Sequence, residues 1–362
     1  MSTFLAINYG SSSLKFAIFK DEEPILRESL KVEDLEGFKE GIAYIRSRVN
    51  QEPTALAHRV VHGMDYSGPI RIDHDTLPIL RKLAEINPLH NTVAFSCIRI
   101  SLELFPTSLH YALFDTDFHK SLPEHARMYG VSLELYRKGV KRYGFHGLSY
   151  SYLLERAQEL LDKEKPNLII MHLGSGCSVC AVKEGRSVDT SMGFSPLEGL
   201  LMATRPGDLD AGVVLYLLKE GYTPEELERL LYYESGLMGL WGKRDFKDLL
   251  EVIERDTTAR TLFDLFVYRL LKYVGAYWFV LEGSVDALVF SGGIGENSPQ
   301  LRLALCERLK PFSVIIDQYR NQRQETLIST EESKVKVLVL KTDEELQMVR
   351  TLKKITISPP SS

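Results

Sequence analysis

Nine polar side chains, Asn8, Lys15, Arg59, His90, Asp115, His146, His172, Arg205 and Glu344, are left over once helix caps and turns are accounted for. Many stand beside Gly or Pro at the ends of apolar runs, where α/β proteins collect ligands. Arginines, histidines and a lysine together with Asn, Asp and Glu suit the transfer of a phosphoryl group. Cations neutralise its equatorial oxygens, while Asn8 and the carboxylates can hold Mg²⁺ directly or through water. Mg²⁺ retains several waters, so a sparse set of protein ligands is enough. Plainer roles compete. Arg59, inside the apolar run ALAHRVVH, can snorkel or pair with an acid, and Asp115 or Asp117 can cap the segment that follows.

The elements that would position these groups begin with Phe4–Phe19, FLAINYGSSSLKFAIF. Two apolar strands, Phe4–Ile7 and Leu14–Phe19, flank the polar tip Asn8–Ser13, which reads as a hairpin. A Gly among Ser and Asn lets the backbone approach an anion, and Lys15 follows where a cation could reach a phosphate. Leu168–Lys183, LIIMHLGSGCSVCAVK, repeats the pattern at an offset of 164, matching Gly10 with Gly174, Ser11 with Ser175 and Ala17 with Ala181. Two copies predict two related halves serving one nucleotide.

At 362 residues the chain exceeds one ordinary core, so two domains are expected. With 44% hydrophobic and 26% charged residues it reads as soluble and globular, and a net charge of −5 gives no general pull toward nucleic acid or anionic membranes. Four irregularly spaced cysteines predict reduced thiols in a cytoplasm. Cys177 and Cys180 have CxxC spacing, but they lie in a strand and no second pair completes a zinc site. The N-terminus lacks a basic stretch followed by a long apolar run, so no signal peptide is expected. Leu262–Leu281, the most apolar stretch, contains Asp264, Arg269 and Lys272 and reads as a buried helix, not a membrane span.

Along the chain, Asp34–Val49 reads as a helix, Ala55–His62 as a strand and Thr76–Ile86 as a helix stopped by Asn87-Pro88. Pro88–His90 reads as a corner before a helix that Asn91 caps and that runs to Leu104, and His110–Phe114 as a strand ending at Asp115. Lys141–Ser149 is expected to be a loop displaying Phe145 and His146, with Ser149 opening a helix to Leu161. Asp189–Asp210, opening DTSMGFSPLEGLLMATRPGD, is a long aperiodic segment of the functional kind, with Arg205 displayed from a rigid turn. Leu209–Leu281 is mostly helical, with a capping box at Thr223 and Glu226. The strand Val285–Phe290 runs into a Gly-rich turn, Ser291–Asn297, and Ser298-Pro299 open a helix. Lys334–Leu340 is the last strand, Thr342–Glu345 cap a final helix, and Ser358–Ser362 read as a frayed tail.

The segments INYGSSSLKF, HRVVHG, NPLHN, LFDTDFH, RYGFHG, HLGSGCS, DTSMGFSPLEGLLMATRPGD, FSGGIGENS and TDEEL follow one another across nearly the whole chain. In this the sequence strongly resembles the acetate kinase (acetokinase) family of the acetate and sugar kinase, Hsp70 and actin superfamily. The resemblance implies a two-lobed, duplicated, ribonuclease H-like α/β fold with the active site in the interdomain cleft. Its lobes would be residues 1–117 plus 346–362, and 118–345. It implies a cytoplasmic homodimer that transfers the ATP γ-phosphoryl group to acetate by direct in-line attack, reversibly and with Mg²⁺ (Mn²⁺ as an alternative), giving acetyl phosphate and ADP.

It also implies roles. Asn8 and Glu344 would serve the metal, and Lys15 the nucleotide phosphates. His172, Leu173, Gly174, Ser175 and Gly176 would form the second phosphate loop. Gly293, Ile294, Gly295, Glu296 and Asn297, with Asp245, Phe246 and Lys247, would lie on the nucleotide side. Arg59 and Arg205 would bind carboxylate and phosphoryl group, Asp115 would be the catalytic carboxylate, and His146 would stabilise the transition state. Val61, Leu89, His90, Phe145 and Pro196 would line the site for the acid. Acetate is already ionised at neutral pH, so its attack needs no general base, and Asp115 is expected to orient Arg59 or a metal-bound water. Ser175 and Lys247 stand where the family commonly has Asn and Arg, so a planar contact to nucleotide would be lost at Lys247. The rival readings are a propionate- or butyrate-preferring kinase and an ATP-switched interaction protein of the actin or Hsp70 type.

Overall fold

The structure, a computed structural model, describes residues 2–10, 13–32, 34–86 and 88–357, without the side chains of 86, 88–90, 356 and 357. The tip residues Ser11 and Ser12, the helix stop at Asn87 and the tail Ser358–Ser362 lie outside the described residues. The chain divides into two compact units. One comprises Met1–Phe118, Gly147–Tyr152 and Asp343–Ser362, the other His119–His146 and Leu153–Thr342.

The first unit holds β1 (Thr3–Tyr9), β2 (Ser13–Lys20), β3 (Glu23–Lys31), β4 (Ala55–Val60), β5 (Ile70–Arg71) and β6 (Leu109–Phe114), in the order β3-β2-β1-β4-β6-β5. β1, β2 and β3 are antiparallel neighbours, whereas β1, β4 and β6 run parallel. Strand alternation sends Leu5, Ile7, Tyr9, Leu56, Val60 and Phe114 to one core, shared with Phe38 and Ile42 of the helix Leu35–Arg48 and Cys97 and Ile98 of the helix Pro88–Leu104. Phe4, Ala6, Ala55, Ala57 and Leu113 face the opposite way, onto Met348, Val349 and Leu352 of the C-terminal helix Glu344–Ile357. Both faces of β1 and β4 are therefore buried, and their sequences read as nearly unbroken apolar runs.

The second unit holds β7 (Leu168–Leu173), β8 (Cys177–Lys183), β9 (Arg186–Thr190), β10 (Ala287–Ser291) and β11 (Lys336–Val339), in the order β11-β10-β7-β8-β9. Here too three antiparallel strands lead into parallel neighbours, so the repeat extends from the hairpin to a whole five-stranded sheet. Its offset is not constant. Tyr9 faces Leu14 in the first hairpin, whereas Leu173 faces Cys177 in the second, whose tip is one residue shorter. Asn8 corresponds to His172, but Lys15 corresponds to Ser178 and Ala17 to Cys180, not to Ala181.

Other expectations shift as well. The helix Pro88–Leu104 begins at Pro88, so Pro88–His90 is no corner and Asn91 is no cap. Pro suits the first helical position, where an N–H would go unsatisfied, and the Asn91 amide instead bonds the backbone of His62 (3.1 and 2.8 Å). The helix Gly147–Leu161 opens two residues before Ser149, at Gly147, whose N–H donates to the Asp115 carbonyl (2.8 Å). Phe145 is buried and not displayed. Residues 292–297 are helical rather than a Gly-rich turn, since Gly292, at φ +77°, reverses the chain where a Cβ would stand 2.5 Å from the Leu173 carbonyl. The helix Thr257–Val280 is amphipathic, with Leu262, Phe266 and Leu270 buried but Tyr268 and Phe279 exposed. No helix among the described residues is long and apolar enough to cross a membrane.

Candidate active site

In the first unit, Asn8 is the last residue but one of β1, Arg59 lies near the end of β4 and Asp115 directly follows β6. Their strands are adjacent and parallel, and alternation turns all three side chains to one face. The Arg59 guanidinium donates to Asp115 through Nε (3.1 Å to each oxygen) and Nη2 (2.5 Å), and through Nη1 to Asn8 Oδ1 (2.9 Å) and the Tyr9 carbonyl (3.4 Å). Asn8 Nδ2 donates to Glu344 Oε2 (2.8 Å) and Glu345 Oε1 (3.0 Å) at the start of the last helix. With a guanidinium on one side and two carboxylates on the other, the amide has only one workable orientation. Asp343 Oδ1 caps this helix at Leu346 N (2.9 Å) and is gripped through both oxygens by Arg27 of β3 (2.9 and 2.6 Å). Burial opposes the charge on Arg59, but Asp115 and Glu344 outweigh it and raise its pKa. Burial likewise pushes the Asp115 carboxyl up, opposed by the guanidinium in contact with it.

Lys15 is exposed on β2 opposite Asn8, and Val61 is half-buried just past β4. The side chains of Leu89 and His90 lie outside the described residues. Asp117 is drawn away from this cluster, accepting from Gly68 N (2.7 Å).

In the second unit, His146 and His172 stack with ring centroids 4.2 Å apart, and His146 Nδ1 lies 2.8 Å from Ser178 Oγ. His146 takes a left-handed conformation (φ 60°) just before a helix. The preceding carbonyl, of Phe145, is held by His119 Nε2 (2.9 Å). Between the hairpin strands, a Cβ on Gly176 would stand 2.8 Å from Arg205 Nη2 and 3.3 Å from His146 Nε2. A residue without a side chain leaves these two groups room to converge, and a Cβ there would crowd both. Arg205 Nη1 donates to the carbonyl of the buried Pro196 (2.9 Å), and among the described residues no carboxylate pairs with this guanidinium. Burial accordingly lowers its pKa. Leu173 and Gly174–Gly176 complete the tip, with Ser175 exposed.

The long segment after β9 is ordered by groups that spacing did not single out. Arg142 donates to the carbonyls of Thr190 (3.0 Å) and Met192 (3.2 Å) and to Glu198 Oε1 (2.5 Å), and Tyr129 donates to Glu198 Oε2 (2.5 Å). Asp208 accepts from Tyr273 Oη (2.8 Å) and Gly199 N (2.9 Å). The motif residues Glu198 and Asp208 thus tie down the segment that carries Pro196 and Arg205.

On the prospective nucleotide side, Gly293, Ile294, Gly295, Glu296 and Asn297 lie in one short helix. Glu296 Oε1 accepts from Gly292 N (3.0 Å), with its carboxyl raised by burial, and Asn297 Nδ2 donates to the Gly293 carbonyl (2.9 Å). The buried Arg302 closes this helix, donating to the carbonyls of Gly295 and Glu296 (both 2.7 Å). Asp245 caps the helix Phe246–Val252 at Lys247 N (2.9 Å), Phe246 is buried against Phe266 (ring centroids 4.7 Å), and the Lys247 side chain is exposed.

No group of three or more His, Cys, Asp or Glu among the described residues is arranged to hold a metal ion. Glu344 and Glu345, converging on one amide, nonetheless supply the hard oxygen donors that suit a largely hydrated Mg²⁺.

The sequence pattern of the acetokinase family matches residues 42–350. The acetate kinase of Campylobacter jejuni subsp. doylei is 39% identical, over 96% of this chain and 97% of its own. Two crystal structures superpose with a TM-score of 0.88. Porphyromonas gingivalis acetate kinase is 31% identical and matched over 98% of this chain and 100% of its own. A propionate kinase from Francisella tularensis is 32% identical and matched over 97% and 98%.

Proposed function

This chain belongs to the acetokinase family, and from that premise we propose how its own residues carry the reversible transfer of the ATP γ-phosphoryl group to acetate, giving acetyl phosphate and ADP. Arg205 carries the reading. A half-buried guanidinium that, among the described residues, bonds one backbone carbonyl and no carboxylate, beside His146 over a residue without a side chain, is short of an anion. A transferring phosphoryl group supplies one, and the charges developing on its oxygens are met by donors already in place.

Acetate attacks the γ-phosphorus as the carboxylate it already is, so no residue removes a proton. Asp115, with both oxygens on Arg59, acts by fixing that guanidinium, whose second Nη2–H is left to meet substrate oxygens. His146, with Nδ1 committed to Ser178, offers Nε2 on the side of Gly176 and Arg205. Glu344 and Glu345, aligned by Asn8, would hold Mg²⁺ or Mn²⁺, which when bound neutralises charge on the nucleotide phosphates. Lys15 and the tip His172–Gly176 serve those phosphates, while Gly293–Asn297, Asp245 and Lys247 serve the adenosine. Val61, Leu89, His90, Phe145 and Pro196 serve the acid.

The working form is a cytoplasmic homodimer. The helix Ala211–Lys219, AGVVLYLLK, buries none of its nine residues, and Leu215 and Tyr216 are each 59% exposed. An apolar helix so placed calls for a second chain. The four free, buried cysteines fit a reducing compartment.

Incubating the protein with acetate, ATP and Mg²⁺ in the presence of hydroxylamine tests the reaction. Acetohydroxamate should form only when all are present, and a failure to form any acyl phosphate overturns the reading.

A further inference from the structure

Behind Asn8, Arg59 and Asp115, on the other face of the same three strands, runs a second hydrogen-bonded row. Tyr9 Oη lies 2.9 Å from His58 Nδ1, His58 Nε2 lies 3.0 Å from His110 Nδ1, and His110 Nε2 lies 3.0 Å from the Phe105 carbonyl. Strand alternation makes the two rows back to back. Tyr9 follows Asn8 in β1, His58 precedes Arg59 in β4, and His110 is an odd number of residues before Asp115 in β6. All three members of the rear row are buried. Their rings lie nearly in register, with interplanar angles of 1° for Tyr9 and His58 and 7° for His58 and His110.

One end of the row fixes the protons throughout. A carbonyl can only accept, so His110 Nε2 carries hydrogen and, in a neutral ring, Nδ1 accepts. His58 Nε2 must then donate, His58 Nδ1 accept, and the Tyr9 hydroxyl donate. Burial, reinforced by His110, holds His58 well below its ordinary pKa; burial also lowers His110, and it raises the Tyr9 phenol well above its own. All three therefore stay neutral at working pH.

We propose that Tyr9, His58 and His110 are positioning residues for the phosphoryl transfer, setting Asn8 and Arg59 from behind. The proposal rests on the acetokinase reading above. The ladder between β1 and β4 ends at the Ile7–His58 pair, so Asn8 and Tyr9 extend beyond it. There the Tyr9–His58 bond holds the end of β1 to β4, and the Tyr9 carbonyl itself receives Arg59 Nη1 (3.4 Å). Losing the phenol hydroxyl leaves that end held by β2 alone and loosens the two acceptors that brace Arg59, Asn8 Oδ1 and the Tyr9 carbonyl.

Tyr9→Phe removes only the hydroxyl and is measured alone and with Arg59→Lys. The expected result is kcat/KM for acetate lowered about tenfold, with KM for ATP unchanged. In the Arg59→Lys background the same change should cost much less, because both act through one guanidinium. A folded Tyr9→Phe with unaltered kcat/KM for acetate, or a cost that is fully additive with Arg59→Lys, overturns the proposal. Independently of any variant, ¹⁵N NMR of the wild-type histidines should show His58 and His110 as Nε2–H tautomers. An Nδ1–H tautomer at either one overturns the row itself. Should wild type form no acyl phosphate, the kinase reading fails while the tautomers still report on the row.

Discussion

Arg205 and His146 approach each other over the backbone of Gly176, with Nη2 and Nε2 lying 2.8 and 3.3 Å from where that residue's Cβ would be. The pair therefore depends on a hydrogen atom where other residues carry carbon. Gly176→Ala should lower kcat by about 10²-fold while leaving far-ultraviolet circular dichroism unchanged. An alanine enzyme with normal kcat would mean that the two side chains need not converge.

Arg205→Ala should lower kcat by on the order of 10³, as other transition-state arginines do. Arg205→Lys should recover little, since an ammonium cannot grip the Pro196 carbonyl and a phosphoryl oxygen with one planar fork. Because this half-buried cation pairs with no carboxylate among the described residues, neither change should lower Tm. Calorimetry beside kinetics separates the two effects, and a large fall in Tm would recast Arg205 as structural.

Stability should fall on mild acidification. Burial depresses His119 to about 4, so between that value and its unfolded pKa only the unfolded chain takes up the proton. Its contribution, on the order of 3 kcal/mol, is complete above the unfolded value near 6.5 and is lost as pH drops toward 4. His58 and His110 act in the same direction. Tm measured from pH 7.5 to 4.5 should decline steadily below 6.5, and a flat profile would contradict the buried neutral rings.

Acetate should be preferred over propionate. A propionate kinase matches the fold as well as an acetate kinase does, so the backbone alone does not choose the acid. Val61, bulky and half-buried beyond β4, should reject an extra methylene by about 1–3 kcal/mol, and Val61→Ala should narrow the ratio of kcat/KM values. A wild-type preference for propionate would reassign the substrate.

Light scattering should report a mass of two chains. Leu215→Glu, on the uncovered Ala211–Lys219 helix, should yield one. A dimer undisturbed by that charge would place the contact elsewhere.

The sequence exposed the candidate residues but not their partnerships. Asn8, Arg59 and Asp115 are conspicuous as polar groups at the ends of apolar runs, whereas Arg59 and Asp115 meet across 56 residues of chain through parallel pairing. Spacing singles out neither Glu345 nor Ser178 for that reason: Glu345 stands in the run that caps the last helix, and Ser178 lies between Cys177 and Cys180 in an apolar strand. β3 is hard to read because it is an edge strand, mostly exposed and rich in charge: its inward positions, Leu26, Glu28 and Leu30, include a glutamate, while the apolar Ile25 points outward. Asn91 and Ser149 misled because both are good caps by type, yet one amide serves His62 and the other residue is buried in its helix.

The shorter tip of the second hairpin bears on how a doubled scaffold diversifies. Equivalent strand positions carry an ammonium in one copy, at Lys15, and in the other a hydroxyl, at Ser178, that steers an imidazole. One codon more or less at the apex leaves every downstream residue in the ladder with a different counterpart in its sister copy. Grafts between the copies must follow the hydrogen-bond rungs, because counting along the gene mispairs them by one residue beyond the bend.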